Sequence, residues 1–401
     1  MKTPSWTAPL ILAFSLTALD PALFATDPDF GDRQDLGVVE HDALSEASGL
    51  AASRQSSNVL WTHNDKGGEA DVFALSTTGK HLGVYHIEGV AARDWEDMAI
   101  GPGPLDNQHY LYVGDIGDNQ ARQDFKFIYR IPEPPVDANQ SPVEATIAEF
   151  ERLIVQYPDG KRDAETLMVD PWTKDIYLVS KQEDSVRVYR AAFPQSTSET
   201  IVLEHGATLD LKRSDDFFET VAGDISPSGL EILIKTYGTI YYWCRTSGQS
   251  IFEALAAEPV IVPYIREPQG EAVAWAADST GYFTVSEEAN AIPAHVYFYP
   301  RKKTTSVPNP QPHLAAFQLF QNYPNPFNPE TTIRFRLANT SKVSLEIYDL
   351  NGRSVAVLVD GKMRAGEHSV VWQASLKASG VYIYRLQVDG FAAAQKLILV
   401  K

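Results

Sequence analysis

"WEDMAIGPGPLDNQHYLYVGDIGDN", residues 95–119, is an apolar strand, a Gly/Pro turn and a second apolar strand running into an acidic, glycine-punctuated loop. Short apolar runs bounded by turn residues read as β-strands buried on both faces. The unit recurs. "EASGLAAS" (46–53), "WEDMAIGP" (95–102), "AETLMVDP" (164–171), "TVAGDISP" (220–227) and "GEAVAWAA" (270–277) open successive copies. Second strands follow as "VLWTHND", "YLYVGDIGDN", "IYLVSKQED", "EILIKTYG" and "GYFTVSEEAN", and third strands as "DVFALS", "FKFIYRI", "VRVYRAA", "TIYYWCR" and "HVYFYP". "HLGVYHIE", "IAEFERLIVQY", "ETIVLEH" and "EPVIVPYI" supply fourth strands. Glu46, Glu96, Glu165, Thr220 and Glu271 mark the repeat at intervals of 50, 69, 55 and 51 residues.

Four strands per unit at this period predict propeller blades. The expected fold is therefore all-β, with a five-bladed β-propeller over residues 28–300. The long second unit leaves a sixth blade open. The fifth unit lacks a fourth strand, and "DLGVVEHD" (35–42) is predicted to supply it by pairing with "HVYFYP". Closing the ring in this way leaves no free edge.

A chain of 401 residues exceeds the size of one hydrophobic core, so a second domain is expected. A net charge of −18 excludes a nucleic-acid backbone as partner and favours cations. The single cysteine, Cys244, rules out an intrachain disulfide and is expected to be a buried, inert thiol. The start, "MKTPSWTAPLILAFSLTALDPALFATD", has an apolar core at 8–19 and a small-residue exit, the pattern of a signal peptide over 1–25. No later stretch is long enough to span a bilayer.

Residues 301–316, rich in Pro, Ser and Thr, read as a semi-rigid linker. After it, "NYPNPFNPETTIRF" (322–335) sets three prolines ahead of six alternating strands, a small Ig/fibronectin-like β-sandwich over 317–401. "VSLEIYDLNGRSVAVLVDG", "AGEHSVVWQA" and "SGVYIYRLQVDG" complete the motif set. In this order they resemble the C-terminal sorting domain of type IX secretion substrates. The resemblance implies partnership with that machinery and export to the outer surface of a Gram-negative bacterium, or into the medium.

In a blade, the start of strand one and the end of strand two lie at the same mouth. That rule gathers Glu46, Asp94, Glu96, Asp163, Glu165 and Glu271 with His63, Asp65, Asp115, Asp118, Lys181, Glu183, Lys235, Tyr237 and Glu287. Arg93, Arg122 and Arg162 lie close by, and Trp61 and Trp95 flank the mouth as stacking candidates. So many carboxylates repel one another unless a cation joins them, and numerous hard oxygens suit Ca2+. By position, the arrangement resembles calcium-activated nucleotidases and β-propeller phytases. The resemblance implies Glu46, Glu96, Glu165 and Glu271 as metal ligands, with Thr220 as a hydroxyl ligand; the glycine-punctuated acidic turn "GDIGDN" (114–119), of a type that can wrap a cation, adds Asp118 as a further candidate ligand. It implies Arg93, Arg162, Lys181 and Lys235 as contacts to an anionic ligand such as a phosphate ester. Glu96, Asp115 and His63 are then the candidate catalytic bases. A non-catalytic module that binds glycan or protein is the alternative.

Overall fold

The computed structural model describes residues 28–302 and 317–400, apart from 42, 66–67, 182–184, 212–218, 247, 290–291, 321, 338–339, 350–352 and 389–390. The expected signal peptide, most of the linker and Glu183 lie outside the described residues. The chain divides into two compact units at residues 304 and 305.

The first unit is five sheets around an axis. Blade 1 runs outward through Ala47–Ala52, Val59–Asn64, Asp71–Ser76 and His81–Ile87; blade 2 through Trp95–Pro102, His109–Asp115, Lys126–Pro132 and Glu151–Gln156. Blade 3 comprises Ala164–Val169, Ile176–Ser180, Val186–Ala191 and Glu204–Leu209; blade 4 comprises Thr220–Ile225, Glu231–Thr236, Ile240–Cys244 and Val260–Val262. Blade 5 is Gly270–Trp275, Gly281–Ser286 and His295–Pro300, with Gln34–Val38 paired antiparallel on the last of these. Each innermost strand touches the next and the fifth touches the first, so the ring closes at five.

The extra length of the second unit makes no sixth blade. Of "IAEFERLIVQY" (147–157), expected as one strand, Glu151–Gln156 completes blade 2, while Ile147 ends an unexpected strand, Val143–Ile147, that adds in parallel to the outside of blade 1. "ETIVLEH" is divided in the same way, Ile201–Val202 pairing parallel with blade 2 before Glu204–Leu209 completes blade 3. An outermost strand presents unpaired N–H and C=O groups, and the crossing chain satisfies them before it moves on.

The core lies between the blades. Trp61, Trp95, Met98 and Leu111 fill the gap between blades 1 and 2, and similar clusters fill the other four gaps. Both faces of an inner strand meet a neighbouring sheet, so these strands are buried throughout rather than on alternate residues. Cys244 departs from expectation. It is exposed, because it ends its strand one residue past Trp243, where the core stops.

The second unit packs a three-stranded sheet (Phe317–Leu319, Glu330–Leu337, Gly366–Gln373) with a four-stranded one (Ser354–Met363, Ser341–Tyr348, Gly380–Val388, Phe391–Leu399). Phe335, Leu345, Trp372 and Tyr384 form its core. The proline segment is docked rather than loose. The Phe327 N–H donates to the Ile398 carbonyl at 2.9 Å, and the Asn322 amide donates to Thr331 Oγ1 at 2.8 Å. Among the described residues no helix is long and apolar enough to cross a membrane.

Candidate functional site

Every blade carries the same irregularity. Just inside the start of the innermost strand the pairing register slips by one residue, leaving Gly49, Glu96, Glu165, Val221 and Glu271 as the extra residue. A β-bulge bends its strand and re-aims the side chain it carries. In three blades that side chain is a glutamate. Glu46 lies three residues ahead of its bulge and is exposed, so it is not the equivalent of the other three. Thr220 lies one residue ahead of its bulge and donates its hydroxyl to the Ser180 carbonyl at 2.7 Å, a tie between blades.

The bulges bring carboxylates together. Glu96, Asp163 and Glu165, all buried, each present an oxygen within 4.8 Å of the others, and Asp65, Asp94 and Glu96 form a second such group. Burial first, and then Glu165 and the three aspartates, push the Glu96 carboxyl well above the usual carboxylate range. Burial raises Glu165 likewise, although Lys181 donates to it and opposes the rise. The Lys181 ammonium stands 3.5 Å from the Tyr237 hydroxyl, which donates to Glu271. Glu287, beside Glu271, is pushed up to about 8 by burial and by Glu271, Asp65 and Glu46.

Asp163 Oδ1 accepts the Asp118 N–H at 2.7 Å, while its Oδ2 is buried without a hydrogen-bond partner. Gly117 closes over this group. A β-carbon there would overlap Glu96 Oε1 and lie 2.6 Å from Asp94 Oδ2. The role of Gly117 was missed in the sequence, although the glycines of "GDIGDN" mark the loop. Beside it, a cavity of about 350 Å³ has Arg93, Arg122, Asp94, Asp115 and Asp118 among its lining residues, both arginines and three carboxylates.

Other candidates sit elsewhere. Trp61 and Trp95 are 0% and 1% exposed in the core between blades 1 and 2, so neither offers a face for stacking. His63 is sealed beside Trp95, with Nδ1 2.9 Å from the Asn64 carbonyl, and burial pulls its pKa down to about 4. Asp115 is fully buried and holds the Arg93 Nε at 3.0 and 3.2 Å. Asp118 accepts the N–H groups of Arg122 (2.8 Å) and Gln123 (2.7 Å) and pairs with Lys126 (3.1 Å), so its carboxylate shapes the loop. Lys235 is sealed under blade 5, donating to the Gly270 and Thr236 carbonyls, and burial pulls it down to about 8. Arg162 pairs with Asp159 at 3.0 Å.

Two further carboxylates tie the ring together. Asp97 accepts the N–H groups of Met98 (2.8 Å), Leu167 (2.9 Å) and Gly223 (3.2 Å), joining the innermost strands of blades 2, 3 and 4. Asp224 accepts the Trp275 N–H at 2.8 Å, joining blades 4 and 5. Burial lifts Asp224 from 3.8 to about 6, against the pull of the Arg54 guanidinium. An acid whose folded pKa exceeds its unfolded one binds its proton more tightly when folded, so its contribution to stability falls as pH rises from about 4 to about 6. Asp224→Asn should make the fall between about pH 4 and 6 shallower than the parent's by up to roughly 3 kcal/mol in urea titrations at several pH values, the remainder coming from the other raised acids. A variant with the parent's full slope would refute the assignment.

Residues 321–401 match the family model described as a secretion system C-terminal sorting domain. No curated protein matches the chain. Among solved structures, PorZ, a surface component of the type-IX secretion system of Porphyromonas gingivalis, is 13% identical over 88% of this chain, with a TM-score of 0.31. This chain spans about half, 52%, of that protein. A fungal alcohol oxidase of the AA5 family in complex with copper is 10% identical over 93% of this chain and 100% of its own, with a TM-score of 0.36. The Dos1 propeller is 9% identical over 65% of this chain and 69% of its own, with a TM-score of 0.30. At these values none of them assigns a function.

Proposed function

With a type IX secretion sorting domain at residues 321–401, which marks the chain for export to the cell surface or the medium, we propose that its propeller is a ligand-binding module organised by one divalent cation, Ca2+, at the acidic mouth. The observation that carries this reading is the buried trio Glu96, Asp163 and Glu165, with oxygens within 4.8 Å of one another and one aspartate oxygen lacking a hydrogen-bond partner. Close, desolvated carboxylates are unfavourable together unless protons or a cation intervene, and an all-oxygen set suits Ca2+. Glu96, Asp163 and Glu165 would hold the ion, with Asp65 and Asp94 at its side. When bound, the ion supplies positive charge that draws in an anionic or oxygen-rich ligand. Arg93 and Arg122 line the adjoining cavity, where such a ligand would lie.

Binding fits better than turnover. Two of the three candidate bases are disqualified by position, His63 sealed in the core and Asp115 clamped on Arg93. The hydrolysis of phosphate esters implied by the positional resemblance is thus the second reading, and release of phosphate from an ester panel would establish it.

Calorimetric titration of Ca2+ into the chelator-stripped full chain should show one site and a raised Tm. Glu96→Gln with Glu165→Gln should weaken binding roughly 100-fold. In chelator, Glu96→Gln alone should melt at or above the parent, because one of the crowded carboxylates loses its charge while the Lys181–Glu165 pair is kept. If the parent neither binds Ca2+ nor shifts its Tm, the trio holds shared protons instead and the reading fails.

A further inference from the structure

A second cavity, of about 520 Å³, lies on the far side of Arg93, between blades 1 and 2. Its walls are Val90, Phe127, Tyr129 and Phe150, and at its edge stand two guanidinium groups, Arg93 and Arg152. None of its eight lining residues is acidic, in a chain of net charge −18. A cavity of this size, with aromatic side chains and a few placed polar groups in its wall, is what small-molecule sites commonly show.

Arg93 and the aromatic walls are held in place. Arg93 is fixed through Nε by the Asp115 carboxylate and lies 4.3 Å from the Phe127 ring centroid. Arg152 lies 5.2 Å from the same centroid. Phe150 packs against Tyr129 at 6.0 Å, ring edge to face. Side chains fixed in this way lose little freedom when a ligand arrives.

We propose that this cavity binds a small planar aromatic acid, its ring against Phe150 and Val90 and its anionic group on Arg152 and the outer nitrogens of Arg93, the two guanidiniums that already cover Phe127. Aromatic walls alone would accept any flat apolar molecule, and guanidiniums alone any anion. The two together select a molecule carrying both, since apolar contact and charge-assisted hydrogen bonding act at opposite ends of one ligand. None of the proposed cation ligands lines this cavity, which shares only Arg93 with the cavity beside the acidic mouth.

The test is calorimetric titration of the full chain, in chelator, with three probes: 2-naphthoate, 2-naphthylmethanol and acetate. The acid should bind, the alcohol at least ~10-fold more weakly, and acetate without saturation. Arg152→Gln, an exposed change that leaves the core alone, should weaken 2-naphthoate ~10-fold or more and leave the alcohol unaffected. Phe150→Leu should weaken acid and alcohol alike. Equal binding of acid and alcohol, an unaffected Arg152→Gln variant, or no saturation by 2-naphthoate would each overturn the proposal. A Ca2+ titration of the same sample reports the mouth separately, so failure at one site leaves the other standing.

Discussion

Asp97→Ala should destabilise the propeller by roughly 3–6 kcal/mol, the largest stability loss expected from any single truncation around its axis. The carboxylate is fully buried and accepts three backbone N–H groups from three blades. Alanine would leave all three donors buried without an acceptor, at about 1–3 kcal/mol each before relaxation. The residues it joins lie 70 and 126 positions away, so the loss falls on ring closure rather than on one hairpin. Asp97→Asn retains one acceptor oxygen and should lose about half as much. Urea unfolding of the full chain, followed by tryptophan fluorescence, reads both values. An alanine variant within about 1 kcal/mol of the parent would show that the axis is held by the apolar clusters alone.

Gly117→Ala should abolish Ca2+ binding, by roughly 100-fold or more, while leaving the fold in place. The strain is one of space and not of backbone, since Gly117 is outside the left-handed φ region. The added methyl group collides with Glu96 and crowds Asp94, two carboxylates of the proposed site, and drives them apart. No charge is altered, so loss of binding would report geometry alone. Calorimetric titration of Ca2+, paired with a melt in chelator, separates the two effects. Undiminished affinity with an intact fold would move the cation site away from Glu96.

Adjacent residues in one strand thus have opposite duties. Glu96, on the bulge, faces the mouth, and Asp97, one step on, faces the axis as a structural tie. The sequence shows "ED" and nothing that separates them. In an inner strand buried on both faces the usual alternation of polar and apolar residues is lost, and with it the cue for register. Aligning the repeats by their leading glutamates puts Glu46 and Thr220 among the ligands, whereas alignment by the bulge sets Gly49 and Val221, whose side chains offer no ligand atom, at those positions. Trp61 and Trp95 were misplaced for the same reason, as a strand tryptophan near a mouth and one in an inter-blade core look alike in the chain.

What could be read without coordinates was whatever short-range patterns encode. The apolar runs and their turns spelled out five units, the fifth short of a strand that 35–42 was predicted to supply and a sixth blade left open, and the proline lead-in with its ordered motifs identified the export module. Such signals lie within a few residues of one another, where backbone geometry and side-chain spacing act directly. Only the tertiary structure decided which acids meet, which are sealed in as ties and which arginines border a cavity. Those outcomes depend on contacts between blades, and a one-residue slip at each inner strand determines where every side chain points.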